Sequence, residues 1–182
     1  MHSNVIARNM EKHNLPPDGL TKEQFERLTS EAECHRICAM MGVITKDEVI
    51  MWADTQLLQF EKPPFSLIEV SAVTHESMQT ILGLLRRVGD EFTRKHVASR
   101  AFEEVRKRLL EALETHRLSH DEVAERLYQL SMQLDVFLEP AIQEFCSRID
   151  DGFQLVRSGV TFRGDAERAL NAFLRENCQV DT

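Results

Sequence analysis

Three short stretches of the chain follow one pattern: LTKEQF from Leu20, ITKDEV from Ile44 and LSHDEV from Leu118. In each, an aliphatic residue precedes a hydroxyl residue, and an acid or amide stands three positions after the hydroxyl. This is the pattern of the capping box. The hydroxyl of Thr21, Thr45 or Ser119 accepts from the backbone N–H three residues on, while Gln24, Glu48 or Glu122 reaches back to the cap's own N–H. Apolar residues three, four and seven apart follow these starts, so the chain is committed to helices. The three hydroxyls are unequally spaced, and independent helix starts account for the likeness without an internal repeat.

The stops are as legible as the starts. Val5, Ile6 and Met10 suit a helix over residues 1–15, loosely attached, which Pro16-Pro17-Asp18-Gly19 ends. After Thr21 the pattern runs to Gly42, with Ile37, Cys38 and Met41 on one side; Ser30 and Glu33 offer a second start unless the two pieces run together. Thr45 opens a helix whose apolar stripe is Val49, Ile50, Ala53, Leu57 and Phe60, and Pro63-Pro64 stops it. FSLIEV reads as a short helix or an extended turn. Thr74 to Val88 reads as a helix stopped by Gly89. Asp90 then caps one long helix with Phe92, Val97, Phe102, Val105, Leu109, Leu110 and Leu113 inward. Ser119 opens the next, with Val123, Leu127, Leu130 and Leu134 as core. Pro140 starts another, carrying Ile142, Phe145, Ile149, Phe153, Leu155 and Val156 until Gly159, and Asp165 caps the last. The expected fold is all-α: a single-domain bundle or array over residues 20–178, with about seven to nine helices and short loops.

Charge narrows the partners. Thirty acidic side chains against twenty-two basic ones give a net charge of −8, a field that repels a phosphate backbone and attracts a basic protein surface. Nucleic acid is therefore not an expected partner. Nor is a membrane, because no apolar run is long enough to cross one. With no export signal in view, the expected compartment is the cytoplasm, where Cys34, Cys38, Cys146 and Cys178 stay free thiols.

Few residues invite chemistry. Glu31, Cys34, His35 and Cys38 share helical offsets, but a closed metal site takes four ligands and no second Cys/His pair of matching spacing exists. The cysteines read as small buried hydrophobes, and no metal or cofactor is expected. His116 and His120 are four apart with the cap Ser119 between them, so one straight helix does not carry both. HExxH, the paired ExxH of di-iron bundles, the nucleophile elbow and the phosphate loop are all absent, and no catalytic residue is expected. Arg106-Lys107-Arg108, interleaved with Glu103, Glu104, Glu111 and Glu114, reads as a salt-bridged helix face. Asp150-Asp151 reads as a solvated face, since adjacent helical residues point about 100° apart.

What remains is a surface for a protein partner. Asp47, Glu48, Asp54, Glu61 and Glu69 gather around the Thr45 helix, with Trp52 and Phe65 as aromatic candidates for binding anchors. The one Trp also has the alternative of being half-buried core. The arrangement G-x-I-[ST]-x-x-x-V-x-x-WA, then Pro-Pro and LIEVS, and later DDGFQLVRSG before FLREN, resembles small all-helical bacterial proteins of the immunity type. The likeness covers Gly42 to Ser71 and Asp150 to Asn177. It implies neutralisation of a toxin by binding, often by an acidic face over a basic cleft, with Asp47, Glu48, Asp54 and Glu61 as partner residues and Asp150 and Asp151 second. Two other readings compete: an adaptor or scaffold holding a partner's peptide in a helical groove, and a helical enzyme using a Cys–His pair or a carboxylate cluster. A homo-oligomer is compatible with each.

Overall fold

The structure is a computed structural model that describes residues 19–176. The described residues are all-helical, with nine helices and no strand: α1 Lys22–Met40, α2 Lys46–Leu57, α3 Phe65–Ala72, α4 Met78–Arg86, α5 Glu91–His96, α6 Ala98–Glu114, α7 His120–Ser131, α8 Pro140–Arg157 and α9 Arg163–Arg175. The helix expected over residues 1–15 lies outside them. By their contacts the residues parse into two compact units. Of the described residues, one unit holds 19–40 and Ile44–Val97, and the other holds Met41–Val43 and 98–176.

In the first unit α1 is the central helix, contacted by α2, α4 and α5. The two pieces around Ser30 run together, and Ser30 and Glu33 are both buried within α1 rather than forming a start. Glu33 makes a bidentate pair with Arg36 at 2.7 and 2.9 Å, both side chains at 3% exposure or less. The guanidinium fork meets the carboxylate in the geometry that makes such buried charges tolerable. FSLIEV resolves as helix, the first turn following Pro64. The next helix begins later than the sequence suggests: Ser77 accepts from the Thr80 N–H at 3.2 Å, leaving residues 74–76 in a turn. It also ends earlier, at Arg86, so Gly89 is not its stop. Gly89 is buried instead against Thr29 of α1, where a Cβ would lie 2.1 Å from Thr29 Cγ2.

The expected long helix after Asp90 is broken. Asp90 caps α5, accepting from the Thr93 N–H at 2.9 Å, but α5 lasts six residues and α6 starts afresh at Ala98. Phe92 therefore follows the phase of the short helix, whose buried positions are Thr93 and Arg94, and it stands 56% exposed rather than inward.

In the second unit α7 and α8 pack most extensively, and α9 lies on α6 and α8. Leu134 is fully exposed because α7 ends at Ser131 and the residue falls in the following connection. Leu155 is also exposed, on the side of α8 away from Phe153. Asp165 does not cap the last helix: α9 starts at Arg163, and Asp165 sits in its first turn paired with Arg168. Arg106 leaves the salt-bridged face entirely. Its guanidinium stacks over Phe102 and Phe173 and donates to the carbonyls of Phe173 (3.2 Å) and Glu176 (2.9 Å), closing the C-terminal end of α9. Two helices in this unit end in the Schellman pattern. At α8, Gly159 (φ 74°) donates to Val156 O and Val160 to Leu155 O. At α6, His116 (φ 56°) donates to Leu113 O and Arg117 to Ala112 O. That ending separates His116 from His120, whose helix Ser119 then opens with its capping box intact.

Candidate partner-binding face

The site expected around the Thr45 helix lies wholly in the first unit, so its geometry can be built residue by residue. Thr45 and Glu48 form the capping box that the sequence implies; Glu48 accepts from the Thr45 N–H at 2.7 Å and its hydroxyl at 2.8 Å. Lys46 donates to the carbonyls of Thr74 and Glu76, tying the start of α2 to the turn before α4. The carboxylate of Glu48 is thus committed to holding the helix.

Trp52 is also engaged. Its indole stacks on His35 with ring centroids 4.5 Å apart and 22° between planes, and its Nε1–H donates to Glu31 Oε2 at 3.1 Å. The His35 ring donates from Nδ1 to the Glu31 carbonyl at 2.8 Å, which fixes the proton on Nδ1 because a carbonyl only accepts. Half-buried, Trp52 braces α2 against α1.

Several acids of this unit are neutralised by a neighbouring cation. Glu69 pairs with Arg87, Glu26 with Lys22 and Glu31 with Arg27. Asp47, Asp54 and Glu61 are exposed and form no ion pair among the described residues. Asp54 accepts a short hydrogen bond from the Ser71 hydroxyl of α3. Three of the unit's carboxylates without an ion pair thus lie on α2 and the segment after it.

The sequence reading misses what stands between those acids. Asp47, Met51, Asp54 and Leu58 recur at four, seven and eleven, one face of the helix, and Met51 and Leu58 are 63% and 89% exposed. On α3, Phe65, Ile68 and Ala72 likewise share an exposed face, with Phe65 at 74%. The Ser71–Asp54 hydrogen bond joins the two helices along these stripes. The signal was present in the spacing: 47, 51, 54 and 58 form a second helical series, out of phase with the buried Val49, Ile50 and Ala53. An α2–α3 face results that mixes exposed apolar side chains with unpaired carboxylates.

Asp150 and Asp151 belong to the second unit and behave differently from each other. Asp150 is buried, contrary to the solvated face expected for it, accepting from Gln154 at 2.6 Å and pairing with Arg157 at 3.2 Å. The reason is helical phase: Cys146 and Phe153, four before and three after, are core residues of α8. Asp151 is exposed and without an ion pair among the described residues.

Among the described residues no group of three or more His, Cys, Asp or Glu is arranged to hold a metal ion. Cys34, Cys38 and Cys146 are buried, and burial pushes the Cys146 thiol up to about 12, against the partial opposing effect of the Arg106 charge. Cys178 lies outside the described residues. Among the described residues no helix is long and apolar enough to cross a membrane. Set against protein-family models, curated proteins and solved structures, the chain finds no match in any of the three.

Proposed function

We propose that this protein works by binding, capturing a basic protein partner on the α2–α3 face in the manner of an immunity-type protein that occludes a toxin's working surface. One observation carries the reading: three exposed carboxylates without cationic partners, Asp47, Asp54 and Glu61, flank the exposed apolar residues Met51, Leu58, Phe65 and Ile68. Each class of residue has a separate task. Carboxylates that no internal cation neutralises act beyond their own contact distance, within a Debye length of about 8 Å at physiological salt, and steer a basic surface into encounter. The apolar side chains supply the desolvated contact that slows dissociation, and Met51 adapts its shape to what it meets. The Glu48 capping box and the Trp52–His35 stack fix the helix that presents them, so little ordering cost falls on binding.

The test uses the full chain as bait in an extract of its source cell, beside the D47K/D54K/E61K variant and the control D151K. The expected result is a basic protein retained by the wild type and by D151K, released by rising salt, and lost from the triple variant. Equal retention by the triple variant, with its helical signal unchanged, rejects this face.

A further inference from the structure

We infer that the α8–α9 hairpin is a second, self-associating surface, on which another copy of this chain packs to complete a four-helix arrangement. The inference concerns a different unit from the α2–α3 face and does not rest on the function proposed for it. Between the two helices lies a groove of roughly 430 Å³, floored by Ala141, Phe145, Ile149, Gly152, Ala166 and Ala169. Phe145 of α8 stacks on Phe173 of α9 at 3.8 Å, near the start of one helix and the end of the other, so the pair runs antiparallel. On α8 the positions 141, 145, 148, 152 and 155 form one stripe; the N-cap Phe162 and the α9 positions 166, 169 and 173 form another. Four of these nine residues are alanine or glycine, which let a third helix approach closely. Leu155 and Phe162, 46% and 83% exposed, leave large apolar groups uncovered near the connecting loop.

Charge and size favour a like copy over a foreign partner. The groove is edged by both signs on α8, where its lining residues Glu144 and Arg148 pair at 2.9 Å, and next to its lining residues Ala166 and Ala169 on α9 Asp165 pairs with Arg168. Such a rim offers no net field to a strongly acidic or basic protein. It is self-complementary about a two-fold axis, because Glu144 of one copy can meet Arg148 of the other while the reverse contact forms with it. Local neutrality also lets two chains of charge −8 meet here without the repulsion that would hold their acidic surfaces apart. The 18 residues of α8 span about 27 Å. Two helices of about 10 Å width over that length bury on the order of 1,000 Å² in all, the lower bound for a specific interface. An interface of that size belongs with weak, reversible associations.

The experiment is sedimentation velocity of the full chain from about 1 to 200 μM, a range that suits a weak association. The wild type should pass from 21.0 kDa to twice that mass as concentration rises. A169R, at an exposed helical position where arginine is well tolerated, should remain monomeric, and A141R should do the same. R148E should weaken the dimer at least tenfold, and E144R/R148E should restore it. Circular dichroism verifies that each variant keeps its helix content. A wild type that is monomeric at the highest concentration, a dimer that persists in both A169R and A141R, or a charge swap that fails to recover association would each overturn the proposal.

Discussion

Gly89 to alanine is expected to destabilise the first unit, although the same substitution at an unconstrained site would help. Its φ lies outside the left-handed region, so the backbone accepts alanine, and removing a glycine from the unfolded chain alone would contribute about 0.4–1 kcal/mol of stability. The obstacle is Thr29 on α1. An alanine Cβ would lie 2.1 Å from Thr29 Cγ2, 2.7 Å from Oγ1 and 2.9 Å from Cβ. Carbon atoms in contact sit about 3.5–4.0 Å apart, so something must move by more than an ångström. Rotating the β-branched side chain only exchanges one crowded branch for the other. The segment after α4 must then separate from α1, an overpacking cost of about 1–3 kcal/mol that exceeds the entropic gain. Thr29→Ala removes the two nearest atoms, and with them a buried hydroxyl that has no hydrogen-bond partner. In that background the cost of Gly89→Ala should fall by at least ~1 kcal/mol, since the two residues are in direct contact. Urea unfolding followed by Trp52 fluorescence reads the right unit, because the only tryptophan stands on α2. With a slope of about 1–3 kcal/mol per molar urea, the single variant should lose on the order of 1 M in midpoint. An unchanged midpoint, or the same loss with and without Thr29, would refute the steric reasoning.

Two further outcomes follow from local geometry. His116 holds a left-handed φ of 56° at the end of α6, a conformation that costs a side chain about 1–2 kcal/mol; His116→Gly should therefore raise the urea midpoint of the second unit, followed by far-UV circular dichroism because Trp52 reports the first, and a lower midpoint would show the imidazole to be a net stabiliser. Cys146, with its thiol moved from 9.0 to about 12, should react about a thousandfold more slowly with an alkylating reagent at pH 8 than it does in urea; mass mapping of the labelled cysteine checks this, and rapid native labelling of Cys146 contradicts it.

The helical class was legible because local chemistry sets it. The capping boxes at Thr45 and Ser119 form with both reciprocal hydrogen bonds, and the Thr21–Gln24 pair forms as well. Boundaries that depend on distant contacts were not legible. The break at Val97 follows no glycine or proline, and Gly89 serves packing against Thr29 where the sequence pattern suggests a stop. Charged residues misled for the same reason. Arg106 and Asp150 read as solvated and Glu33 as part of a helix start, yet all three are buried: Arg106 closes the end of α9, Glu33 pairs with the buried Arg36, and Asp150 turns to the core side of α8. At the candidate face, the acids around α2 were legible as a cluster. The lack of internal cations beside Asp47, Asp54 and Glu61, and the exposure of Met51 and Leu58 among them, required the structure.

The proposed function requires that the α2–α3 face receive a macromolecular partner. Hydrogen–deuterium exchange of the isolated complex, compared with the free chain, tests it without any substitution. Added protection is expected over Lys46–Leu57 and Phe65–Ala72, fading as salt rises and the carboxylates are screened. Protection confined to other helices, or a footprint on these two that salt leaves untouched, would contradict it.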